Sequence, residues 1–141
     1  NVKGVNFMEE YKKKVAEILQ KPLTTDSPEE VYKETALIES LAYLAVRQAT
    51  LLEVKLTELN QTLREEKLKE LSNLSGTAME KTIQLEAKLS PLLKEIESTE
   101  ATMKYWRATS KLIENKVSLA QSILANITSQ VKAGLYMGNI K

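Results

Sequence analysis

The chain has 141 residues, enough for one domain and few for two, and its 20 Lys and Arg nearly balance 19 Asp and Glu. It contains no Cys and no His, which excludes a disulfide framework, a thiol nucleophile, a thiolate metal site and the commonest general base. Gly and aromatic residues are scarce, and the apolar fraction is mostly Leu, Ala, Ile and Val, the composition of a helical protein.

In chain order, residues 1–6 are expected to be an unstructured lead-in. A short helix is predicted over 7–20, with Phe7, Tyr11, Val15, Ile18 and Leu19 on its apolar side and Pro22 ending it. Ser27-Pro28-Glu29-Glu30 then reads as a helix start, with Ser27 as cap, Pro28 at the first helical position and Glu30 completing a capping box. From there a long helix is predicted over 28–72. Its seam is Val31, Thr35, Ile38, Ala42, Ala45, Ala49, Leu52, Leu56, Leu59 and Leu63, spaced three and four apart. A second row, Leu37, Leu41, Leu44 and Leu51, lies beside it.

Residues 73–77 form the predicted turn, with Gly76 in it and Thr77 and Glu80 as a second capping box. The next long helix is predicted over 78–134, with Gly134 as its C-terminal stop and a kink near Pro91. Residues 135–141 remain as a tail.

That last helix carries the strongest pattern in the sequence. Leu89, Leu92, Ile96, Thr99, Met103, Trp106, Ser110, Ile113, Val117, Ala120, Leu124, Ile127 and Val131 keep a 3-4 spacing without a miss. Such a heptad seam means a helix packed lengthwise on another helix. Forty-three helical residues span about 64 Å at ~1.5 Å each, more than the roughly 37 Å diameter of a compact globule of this length. The predicted fold is therefore all-α: an elongated antiparallel helical hairpin with a short N-terminal helix and coiled-coil packing, a single domain over 1–141. A second stripe on the same helix, Tyr105, Thr109, Leu112, Lys116, Leu119 and Ile123, needs a further cover. The N-terminal helix is too short to cover every extra stripe, so a homo-oligomer is predicted. Its interface candidates are Leu37, Leu41, Leu44, Tyr105, Leu112, Leu119 and Ile123.

Charge is unevenly placed. Residues 28–100 carry nine basic and fourteen acidic side chains, whereas 101–141 carry six basic and one acidic. This asymmetry suits an anionic partner or attraction between copies of the chain, and a solvated helix face is the alternative. Lys104, Arg107 and Lys111 share one helix face beside Tyr105 and Trp106, an arrangement that single-stranded nucleic acid could use. Trp106, however, sits on the seam and is expected in the core. Arg64, Lys67 and Lys69 form a second basic group, interrupted by Glu65, Glu66 and Glu70.

No catalytic constellation is visible, and no cofactor or metal site is expected. Glu29/Glu30 and Glu65/Glu66 read as a helix-start charge and a solvated face, and a Glu-x-x-His bundle site is impossible without His. No apolar run reaches the ~20 residues of a membrane span, so a cytoplasmic, non-membrane protein is expected. The sequons at Asn60, Asn73 and Asn126 are read as chance matches.

The layout of a short helix, a long helix with basic residues before a Ser/Gly break, and a long helix bearing Lys104-Tyr105-Trp106, the Ala-containing heptads of 116–127 and Ala133-Gly134 resembles the recombination mediator proteins of T-even phages and their shorter relatives in other phages. The resemblance covers most of the chain in layout and few residues in identity. It implies a ring-like oligomer that binds single-stranded DNA and helps load a RecA-type recombinase onto DNA covered by single-strand binding protein. It would act in the cytoplasm of a bacterial host, with Arg64, Lys67 and Lys69 in the DNA-contact region. This chain departs from that family in lacking an overall basic excess, so many copies would have to share one strand. The rival expectation is an oligomeric coiled-coil adaptor or inhibitor that binds a protein partner through its exposed stripes and tail.

Overall fold

The computed structural model describes the backbone of residues 2–25 and 27–134, and side chains from Met8 onward within those ranges. The 135–141 tail and the side chain of Phe7 lie outside the described residues. Three helices follow one another, α1 (Val2–Gln20), α2 (Pro28–Leu71) and α3 (Ala78–Lys132), with no strand among the described residues. The chain is an all-α hairpin of α2 on α3 with a short helix before it.

The helix ends follow the local chemistry. The Glu30 amide donates to Ser27 Oγ and the Glu80 amide to Thr77 Oγ1, each at 3.2 Å, so both caps satisfy a donor that the first turn leaves unpaired. Gly76 and Gly134 adopt φ of 111° and 72°, the left-handed region open to glycine, where the chain leaves the turn and α3 respectively. Helix α3 continues unbroken through Pro91. Helix α1 begins at Val2, so the lead-in expected at 1–6 is helical from its second residue. Once packing fixes the turns around Tyr11 and Val15, adding residues ahead of them costs little, and Gly4 opposes this by only about 1 kcal/mol.

By backbone proximity the chain divides into two compact units, Asn1–Val46 with Ala108–Lys141, and Arg47–Arg107. In the first unit, α1 lies on the ends of α2 and α3. Its Tyr11 and Val15 are buried, together with Val31, Ile38, Leu41 and Ala45 of α2 and Ile113, Ala120 and Ile127 of α3. The side-chain amide of Gln121 donates to Glu39 Oε1 at 2.9 Å. This antiparallel register sets Ala45 level with the Ile113–Val117 turn, so a methyl-sized side chain stands where the opposing helix is bulky. Ile113 is fully buried and Val117 half-buried. Thr35, polar but on the seam, is accommodated because its hydroxyl donates to the Val31 carbonyl at 2.8 Å.

The second unit is a two-helix hairpin. Leu89, Thr99, Met103 and Trp106 are buried on α3, whereas Leu52, Leu56, Leu59 and Leu63 of α2 are half-buried. Two helices alone cover each seam from one side, which explains the partial exposure. Lys55 and Glu95 at 3.8 Å and Lys88 and Glu70 at 3.0 Å join α2 to α3 across solvent-exposed edges. Such pairs contribute little individually and mainly favour one register.

Candidate functional site

The first candidate surface is the basic stripe of α3. Lys104 and Arg107 belong to the second unit and Lys111 to the first. All three are exposed. Lys104 Nζ lies 3.2 Å from Glu100 Oε1 one turn earlier, and Arg107 Nη2 lies 2.7 Å from Glu53 Oε2 on α2. Each of these two cations is thus matched by a carboxylate, which lowers the positive potential available to a phosphate. Lys111 has no ion pair among the described residues. Trp106 is 1 % exposed, so its ring is core and offers no stacking face. Tyr105 is 45 % exposed and meets Trp106 edge-to-face, with ring centroids 5.2 Å apart.

The second basic group splits in two. Arg64 and Lys67 are three residues apart and share one side of α2, but Lys69 is two residues beyond Lys67 and so points roughly 160° away at ~100° per residue. All three are exposed, and none forms an ion pair among the described residues. Lys67 borders a small cleft whose lining includes Leu85, Glu86 and Leu89 of α3.

The apolar interface candidates also divide. Leu41 is 5 % exposed, and its carbonyl accepts a hydrogen bond from the Tyr11 hydroxyl, so α1 already covers it. Leu44 and Ile123 are half-buried. The role expected of Leu41 as a surface for other copies is therefore taken within the chain, because α1 reaches the second row of α2. Leu37, Leu112 and Leu119 stay open, at 51 %, 56 % and 57 % exposure.

On the α3 side these leucines belong to a groove. Leu19 and Leu23 form one wall, and Leu112, Leu119 and Ile123 the other, around a volume of 630 Å³. At its edge Lys116 donates to the main-chain carbonyls of Ile18 and Lys21. The Ile18 carbonyl is among the last of α1, which have no partner inside that helix and carry partial negative charge, and Lys21 lies just past its end. A lysine on α3 thereby caps α1 at the edge of the groove.

A further feature was missed in the sequence. Tyr32, Ala36, Glu39, Tyr43 and Val46 form another 3-4 stripe on α2, with Tyr32 64 % and Tyr43 66 % exposed. The signal was present as heptad spacing, but Glu39 in its middle disguised it. No group of three or more potential metal-ligating side chains occurs among the described residues, and none of their helices is long and apolar enough to cross a membrane.

No family model, curated protein or solved structure matches this chain.

Proposed function

We propose that this chain acts through protein–protein contact, as a non-enzymatic helical adaptor that assembles with further copies of itself by coiled-coil packing. The observation that carries this reading is the exposure of Leu112 and Leu119, one heptad apart on α3, beside a groove that α1 leaves unfilled. Exposed leucines at helical repeat spacing, rimmed by polar side chains, are what a docking helix needs. Light scattering tests it: a mass above the 15.9 kDa of one chain at micromolar concentration is expected, and Leu112→Glu with Leu119→Glu should lower it.

A second reading is a phage-type recombination mediator that binds single-stranded DNA as an oligomer and assists recombinase loading, with a recombinase and single-strand binding protein as partners. Arg64, Lys67 and Lys111 favour it, being exposed cations with no ion pair among the described residues. The pairing of Lys104 and Arg107 and the burial of Trp106 leave it fewer contacts per chain. Retention of a single-stranded 40-mer at low salt tests it, and its absence would remove it.

A further inference from the structure

We infer that residues 135–140 turn back at Gly134 and lay Leu135, Tyr136 and Met137 into a shallow depression along the end of α3, on the face of the α2–α3 pair that α1 does not cover.

The depression lies within the Asn1–Val46 and Ala108–Lys141 unit. It measures 490 Å³, and Gln121, Leu124, Ala125, Thr128, Ser129 and Lys132 line it. Gln121 marks its side, because it meets Glu39 of α2. Leu41 and Lys116 are the residues of α2 and α3 that hold α1. At ~100° per residue, Glu39 stands roughly 160° round α2 from Leu41, and Gln121 roughly 140° round α3 from Lys116. The depression is therefore on the face away from α1. Two exposed apolar side chains occur at this end of the pair. Val131 is 43 % exposed, and Tyr32, one heptad before Glu39 and on its side of α2, is 64 % exposed. The α3 surface here also lacks charge. Residues 78–117 carry thirteen charged side chains in forty residues, whereas Ser118–Val131 carries none in fourteen. A helix face left to water normally carries charge, so this stretch has the composition of a covered one.

The chain that follows supplies the cover. Gly134 has φ of 72°, and its amide donates to the Val131 carbonyl at 3.0 Å. That is one of the two bonds of the motif that ends a helix by reversing the chain. The motif sets the next residue, here Leu135, against the last turn, at Ser129 and Gln130. Leu135, Tyr136, Met137 and Ile140 are apolar, and none of residues 135–140 is charged. Six extended residues reach about 20 Å at ~3.3 Å each, and the eleven helical steps from Gln121 to Lys132 cover about 16 Å at ~1.5 Å each. The segment is long enough to span the depression. The groove beside α1 is a poorer seat, since on α3 it stops at Ile123, eleven residues before Gly134. About five extended residues would be spent reaching it, leaving Leu135, Tyr136 and Met137 over the polar Asn126 and Gln130.

The chain has no Cys, so an introduced pair reports one contact. Ala125→Cys with Met137→Cys should close a disulfide within one chain under mild oxidation, since a bridge needs Cα atoms within about 7 Å. Ile123→Cys with Met137→Cys puts the partner at nearly the same height on the groove side and should keep both thiols. Asn126→Cys replaces Ile123→Cys should that variant lose helicity by circular dichroism. Thiol titration and non-reducing gels read each pair. Without any cysteine, Leu135→Ser with Tyr136→Ser should remove amide-exchange protection at residues 121–132 and leave residues 110–116 unchanged. Closure of the Ile123 pair in place of the Ala125 pair would overturn the inference. Bridges formed only between chains would overturn it too, and would make a second copy the occupant. Unchanged protection in the serine variant would leave the depression without this cover and sink the idea. None of these readouts requires the chain to assemble, so their failure is distinct from failure of the self-assembly reading.

Discussion

The Tyr11 hydroxyl donates to the Leu41 main-chain carbonyl at 2.5 Å, joining α1 to α2 across thirty residues of sequence. Both residues are 5 % exposed. Burial alone pushes the Tyr11 phenol up from the usual 10 to about 12, because a phenolate there would lose its water. Tyr11→Phe should cost about 1 kcal/mol in urea unfolding, the net worth of one hydrogen bond. The pH dependence has a definite sign. The folded state holds this proton more tightly, so the contribution is complete below pH 10 and is lost as pH rises towards 12. The wild type should therefore lose more stability than Tyr11→Phe over that interval. Equal losses would mean that α1 does not bury this ring.

Lys116 should matter for α1 and little for the hairpin. Lys116→Met keeps the aliphatic stem and removes the charge that caps the Ile18 and Lys21 carbonyls. A loss of about 1–2 kcal/mol is expected, in the range for a partly buried cation at a helix C-terminus. Hydrogen exchange should accelerate at residues 15–21 and stay unchanged at 90–105. Uniform acceleration would assign Lys116 to the core instead.

Ile113 is fully buried on the α3 seam. Ile113→Ala should cost about 2–5 kcal/mol, the transfer of the lost methyl and methylene groups plus the cavity left behind. Val117→Ala should cost less, because Val117 is half-buried. A change at Ile113 below half a kcal/mol, read from denaturant midpoints, would contradict the packing described.

If the chain binds single-stranded DNA, its free and matched cations should differ. Lys67→Ala should weaken binding and reduce the salt slope by about 0.7, the value for one phosphate contact on a single strand. Glu53→Gln should strengthen binding, since it releases Arg107 from its ion pair. A gel shift across a salt series reads both. An unchanged slope for Lys67→Ala would place the strand elsewhere.

How much of this was legible beforehand depends on the range of the interaction. The seam from Leu89 to Ile127 was visible because burial recurs with helical period, and only Val131 at its end is exposed. The caps at Ser27 and Thr77 were visible because capping is decided within four residues. The docking of α1 was not, since Tyr11, Leu41 and Lys116 acquire meaning only when three helices meet. The pairing of Arg107 with Glu53 was half-visible. Both flank their seams on the same side, where antiparallel helices face each other, but the register that brings them to 2.7 Å is a tertiary fact.

The ledge on which α1 rests has a consequence for the order of folding. Its carbonyl comes from Leu41 and its ammonium from Lys116, so the ledge does not exist until α2 and α3 have paired. During synthesis α1 leaves the ribosome before α2 and α3, and it must wait for about a hundred further residues before it has a seat. A helix of 19 residues is marginal in isolation, so it should arrive late, after the hairpin has closed. In kinetic terms Tyr11→Phe should leave the folding rate almost unchanged and accelerate unfolding, a φ-value near zero.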